Sequence, residues 1–231
     1  MGVGDFIVNI QGGGMKKIIL ISSLSFLTAC QSAVVHEKKG NANYSAPYKQ
    51  VQFQFVYPYA LPAVVTYATV LDTDGYWYKF NTLDPVQGSR NSTYKWNPNV
   101  GVGLMHFNLI KNLPQEITFC WDSIIDKKNH ETKVIFNSVI WKKMITSEQD
   151  AWNKKDIFYY NSLVIGLAPE GKIRVWLKGN ATLNILIATG QTVSGDQLTL
   201  CKGVTRFPNG YEYPEMTNEF IKGKIYPYGN W

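Results

Sequence analysis

Two short apolar runs, Tyr159 to Ala168 and Lys172 to Lys178, are separated only by Pro169-Glu170-Gly171. Proline suits the first corner of a tight turn and glycine tolerates positive φ at its end, so the chain has little choice here but an antiparallel hairpin. The same pattern recurs along the sequence. Ala63 to Leu71 and Tyr76 to Phe80 flank Asp72-Thr73-Asp74-Gly75, a second hairpin. In Glu116 to Ser123, Ile117, Phe119 and Trp121 point one way and Thr118, Cys120 and Asp122 the other; a polar turn at Asp126 to Asn129 leads to a partner strand at Thr132 to Trp141. Val51, Phe53, Phe55 and Tyr57 alternate with Gln52, Gln54 and Val56, the pattern of a half-buried strand. Further strands are expected at Gly101 to Ile110, Ala181 to Ala188 and Gln197 to Cys201. Lys142 to Asp156 has few β-branched residues, and Ser147, Glu148 and Asp150 suit the cap of a helix that turns Ala151 and Trp152 inward. The expected fold class is therefore mainly β: an antiparallel β-sandwich-like domain of hairpins with one short helix at about 142–156.

The N-terminal stretch sets where such a domain works. Met15-Lys16-Lys17 opens a signal whose apolar run, Ile18 to Leu27, is too short for the roughly 20 residues a bilayer span needs. Leu27-Thr28-Ala29-Cys30 resembles the lipobox of bacterial lipoproteins, in which cleavage precedes the cysteine and that cysteine is acylated. Met15 is the expected start and residues 1–29 the signal peptide. Residues 30–47, polar and rich in Gly, Asn and Ser, are a flexible tether that follows the signal helix, and 48–231 form one β-rich domain. Gln31 after Cys30 favours the outer membrane by resemblance to envelope sorting rules, with the domain on its inner leaflet facing the periplasm. Lipidation of Cys30 makes the membrane the first expected partner.

Charge and motifs exclude several functions. The formal net charge is +6, and removing Lys16, Lys17 and Asp5 with the signal leaves +5. Basic residues come singly or in pairs, without the clustering that nucleic acid requires, so no nucleic-acid partner is expected. Gly166-Leu167-Ala168-Pro169-Glu170-Gly171-Lys172 has the spacing of a phosphate-binding loop, but Ile173 stands where a hydroxyl is needed and a strand follows, so no nucleotide is expected. His36, His106 and His130 lack metal-ligand spacing, and Gly-x-Ser-x-Gly is absent; the sequence implies no metal, no cofactor and no enzyme activity. Asp72 and Asp74 lack the later ligands of a calcium loop and belong to turn chemistry. An oxidising compartment permits a disulfide between Cys120 and Cys201, which needs their Cα atoms within about 7 Å; sequence leaves it open.

Leu163-Val164-Ile165-Gly166-Leu167-Ala168-Pro169-Glu170-Gly171-Lys172-Ile173-Arg174-Val175-Trp176-Leu177-Lys178-Gly179 resembles the hallmark hairpin of a family of bacterial lipoproteins catalogued as a domain of unknown function. Leu113-Pro114, Ile117 and Trp121-Asp122-Ser123 add to the likeness, which runs from about Val51 to about Ile187. Some members are encoded near type VI secretion effectors, so the resemblance implies an immunity protein that masks a secreted lipase-type antibacterial effector. Envelope maintenance or assembly, and small-ligand or lipid carriage, are the alternatives. Tyr94, Trp96, Tyr226 and Tyr228 are the candidate partner-binding aromatics, since Tyr and Trp often dominate interfaces.

Overall fold

Asp72 shows how the hairpins close: its Oδ1 accepts the Asp74 and Tyr76 backbone N–H groups at 3.0 and 2.9 Å, while Gly75 turns the chain at φ 85°. The computed structural model describes residues 44–56, 63–81, 108–123, 125–204, 222–223, 225 and 228–229, and the backbone of 35–36. Its strands are β1 (Val35–His36), β2 (Val51–Val56), β3 (Ala63–Asp72), β4 (Tyr76–Phe80), β5 (Asn108–Ile110), β6 (Pro114–Ser123), β7 (Lys128–Ile135), β8 (Glu148–Gln149), β9 (Ile157–Phe158), β10 (Ser162–Ala168), β11 (Lys172–Leu177), β12 (Ile185–Thr189) and β13 (Gln191–Ser194). A helix, α1 (Ser138–Ile145), follows β7. Ser32–Trp231 forms one compact unit.

The strands make two large sheets, ordered β1-β4-β3-β6-β7-β13 and β12-β11-β10-β2-β5, with β8 and β9 as a separate ribbon. The two sheets pack face to face over Phe53, Phe119, Trp121, Ile117, Leu163, Ile165 and Leu177, all fully buried, so the expected mainly β, sandwich-like fold is what forms. One pairing departs from the antiparallel expectation. β2 lies parallel to β10, with Phe53 opposite Leu163 and Phe55 opposite Ile165. That pair is also buried on both faces: Gln54, Val56, Val164, Ala168 and Trp176, which point away from the main core, are 7% exposed or less. β2 is thus buried at every position but Gln52, where alternation suggested half-burial, and Leu163 to Ala168 is apolar throughout because neither face meets water.

Gly190 links the sheets, since β12 ends one and β13 ends the other. A Cβ there would stand 2.5 Å from Thr132 Cγ2 and 3.0 Å from Ile173, so only glycine lets the chain cross so close to both. After β13, residues 195–204 lie on the outer face of the six-stranded sheet. The expected strand at Gln197 to Cys201 is instead a 3-10 turn, Gly195–Gln197, and a run of bends. Its fixings are a disulfide between Cys201 and Cys120, Cα atoms 5.4 Å apart, and the Glu131 carboxylate beside Cys120. That carboxylate accepts the Thr199 hydroxyl at 2.6 Å and the Thr199 and Cys201 N–H groups at 2.8 and 2.9 Å. Burial pushes Glu131 up, but these hydrogen bonds to its charged form outweigh burial and hold it below the usual carboxylate range.

The helix sits earlier than the expected 142–156. Asn137 caps it, its Oδ1 accepting the Val139 and Ile140 N–H groups at 3.0 and 3.2 Å, and Ile140, Trp141 and Met144 face the core. β7 accordingly starts at Lys128, inside the expected turn, and stops at Ile135.

Candidate functional site

The domain has two chemically different ends. At the first, the β6–β7 turn meets the β10–β11 turn: Glu170 N–H donates to Asp126 Oδ2 at 2.6 Å, and Asp126 Oδ2 also accepts the Ser123 hydroxyl at 2.9 Å. Glu170 and Gly171 are the corners of the β10–β11 turn, at φ 63° and 70°, so Pro169 precedes the corners instead of forming the first. Positive φ at both corners matches the twist of a hairpin, and it costs a non-glycine residue roughly 1–2 kcal/mol. Glu170 is held there by its contact to Asp126 and by its Oε2, which accepts the Gly229 N–H at 2.6 Å.

This turn borders an open groove of about 470 Å3, whose walls include Glu170, Lys172, Arg174, Thr189, Thr192 and Gly229. Tyr228, 53% exposed, directly precedes the wall residue Gly229. Burial, then the Asp126 and Glu170 carboxylates, push its phenol up, which places the ring among those charges. Under the groove floor lies His130, 4% exposed; a Cβ on Gly171 would meet its Nδ1 at 3.4 Å. The imidazole stacks on Trp121 with centroids 4.5 Å apart, and neither ring nitrogen has a hydrogen-bond partner among the described residues. Burial, and then the positive charge of Lys128, push its pKa down to about 4, so at neutral pH it is an uncharged wall element.

At the second end, Trp141 Nε1 donates to Pro114 O at 2.7 Å, fixing α1 against the start of β6. The β8–β9 ribbon joins it through Lys143 and Glu148, 2.8 Å apart, and the Tyr160 hydroxyl donates to Glu148 at 2.8 Å. Asp150 to Asp156 forms the ribbon's tip. Asp150 Oδ1 accepts the Trp152 and Asn153 N–H groups at 2.8 Å each, and Asn153 Nδ2 donates to Asp156 Oδ2 at 2.7 Å. From the β11–β12 connection, Asn180 accepts the Ala151 N–H at 2.9 Å and donates to Gln149 O at 2.8 Å. Trp152 is 86% exposed on this tip, not turned inward on a helix as expected. Of the residues expected to cap that helix, Asp150 closes a turn and Glu148 pairs with Lys143.

Of the residues singled out in the sequence, Tyr228 directly precedes a wall residue of the groove, and Cys120 and Cys201 are bridged behind the six-stranded sheet. Cys30, Tyr94, Trp96, Tyr226 and His106 lie outside the described residues. The groove has no signal of its own in the sequence because its walls come from three separate segments, 170–174, 189–192 and Gly229. Only the hairpin turn carried a local signal. The family described as "Protein of unknown function (DUF2931)" matches residues 33–229 of the chain. No curated protein and no solved structure matches it.

Proposed function

Because the chain belongs to the DUF2931 family, whose function is unknown, we propose that it is a lipid-anchored binding protein, held at Cys30 in the outer membrane and facing the periplasm, which masks a secreted lipase-type effector as an immunity protein. The observation that carries this reading is the groove at the β10–β11 turn. It is open, polar and built on the hairpin that resembles the family's hallmark, with a half-exposed Tyr228 directly before its wall residue Gly229. A preformed recess with an aromatic beside it suits protein recognition, where a few Tyr, Trp and Arg side chains carry most of the affinity. A tether at the membrane would hold the inhibitor on the surface that a lipase attacks. Carriage of a lipid finds less support, since the space between the two sheets is filled by fully buried Phe, Trp and Leu side chains.

The test is a search of the neighbouring genes for a lipase-type effector, followed by binding to it, read by pull-down and by protection of cells that export it. Wild type should bind and protect. Tyr228→Ala with Lys172→Glu should keep the fold, both positions being exposed, and weaken binding by about thirtyfold, the loss of roughly 2 kcal/mol expected of one interface anchor. Failure of the wild type to recover the effector, or undiminished binding by the double variant, would count against the reading.

A further inference from the structure

We propose that the end of the domain bearing Trp152 seats on a phospholipid bilayer, so that the groove at the opposite end points away from the membrane. The inference rests on the Cys30 tether proposed above, and adds to it a second contact and an orientation.

Three observations converge on that end. The first is apolar surface left facing water. Trp152 is 86% exposed, Ile157 on the returning strand 65%, and Leu183 in the adjoining β11–β12 connection 55%. The Asn180 hydrogen bonds hold the two loops side by side, and the Asp150 turn fixes the tip around Trp152, so the group is displayed on a prepared frame.

The second is the polar company these residues keep. Lys154, Lys155 and Lys178 are all exposed beside them. An indole with lysines around it matches the headgroup boundary of a bilayer, where Trp lies at the interface, apolar neighbours reach the acyl chains and ammonium groups meet lipid phosphates. Asp150 and Asp156, the acidic residues of the tip, use their carboxylates inside the turn.

The third is where the chain enters. Ala46 N–H donates to Asn112 at 2.7 Å, and Tyr44 packs on Trp141 with ring centroids 5.1 Å apart, both at this end. Val35 and His36 pair with Trp77 and Tyr76, just past the turn whose Thr73 N–H donates to Leu113 O at 2.8 Å, again at this end. Cys30 precedes Val35 by five residues, which bounds their separation at about 17 Å for an extended chain. An acyl group on Cys30 therefore brings the membrane to the Trp152 end and not to the groove, since β6, ten residues long, separates the two ends by roughly 30 Å.

The experiment uses the full chain, processed in cells fed a palmitate label and then reconstituted in vesicles of phosphatidylethanolamine containing phosphatidylglycerol. A fluorophore on Thr182→Cys, beside Leu183, reads the proposed contact and leaves Trp152 in place; one on Lys172→Cys reads the groove end. Brominated acyl chains should quench the first probe and not the second, and Trp152→Ala in the Thr182→Cys background should abolish most of that quenching. A probe at 182 that stays bright would show the patch open to water or to a protein partner, and would overturn the inference, as would quenching indifferent to Trp152→Ala. The label at Cys30 reports separately. Its absence would sink the tether, while the probes would still decide the bilayer contact.

Discussion

Reducing the Cys120–Cys201 disulfide should lower the unfolding free energy by about 4 kcal/mol. The bridge joins residues 81 apart in sequence, and closing a loop of that size in the unfolded chain is worth about 4.5 kcal/mol on chain-entropy grounds. Little in the folded state opposes that gain, because the Glu131 carboxylate already positions Thr199 and Cys201 against the sheet. For a domain of this size the loss should appear as a fall in Tm of roughly 10–15 °C. Paired melts with and without reductant check it, and Cys201→Ala should reproduce the reduced curve. Residues 195–204 should then become accessible to protease first, since hydrogen bonds to Glu131 are left to hold them without the covalent tie.

Acidification should cost a further 3 kcal/mol or so, and His130 should account for it. The imidazole is buried against Trp121 without hydrogen-bond partners among the described residues, and its pKa falls from 6.5 to about 4. A histidine whose folded pKa is depressed takes its proton first in the unfolded state. Its share of stability is therefore complete above the unfolded pKa and is lost as pH falls from about 6.5 toward 4, at roughly 1.4 kcal/mol for each pH step of one across that window. His130→Phe keeps a flat ring on Trp121 and removes the titration. Denaturant curves should show the variant within about 1 kcal/mol of wild type at neutral pH, since no hydrogen bond is broken, and more stable than wild type by pH 5. Glu131 contributes in a lower window: its folded pKa is depressed too, so its stabilisation persists until pH drops below the ordinary Glu value of about 4.3. An unchanged acid profile in His130→Phe would mean that the imidazole is solvated or paired.

The hairpins were legible because their signals are local. Asp72 to Gly75 and Pro169 to Gly171 announce their turns, and strict alternation put Ile117, Phe119 and Trp121 on the core face with Cys120 opposite, where it is found. What failed was chemistry that two structures share. An Asp or Asn side chain accepting amides two and three residues on caps a helix or closes a turn equally well. Asp150 does the second, while Asn137, set among Ser138, Val139 and Ile140 that look like a continuing strand, does the first. Trp152 was consequently placed inside when it stands outside. The parallel partnership of β2 and β10 joins segments about 110 residues apart, and no local pattern encodes it. The groove depends on long-range assembly too: Gly190, between the wall residues Thr189 and Thr192, passes close to Thr132 and Ile173, contacts that no local pattern encodes.

Whether the two ends do separate work depends first on the anchor. Mass spectrometry of the N-terminal peptide of the mature chain, taken from native envelopes, tests it directly. The account predicts a chain that begins at Cys30 and carries acyl groups there. A free thiol at Cys30, or a mature chain that still contains the residues before it, would contradict it.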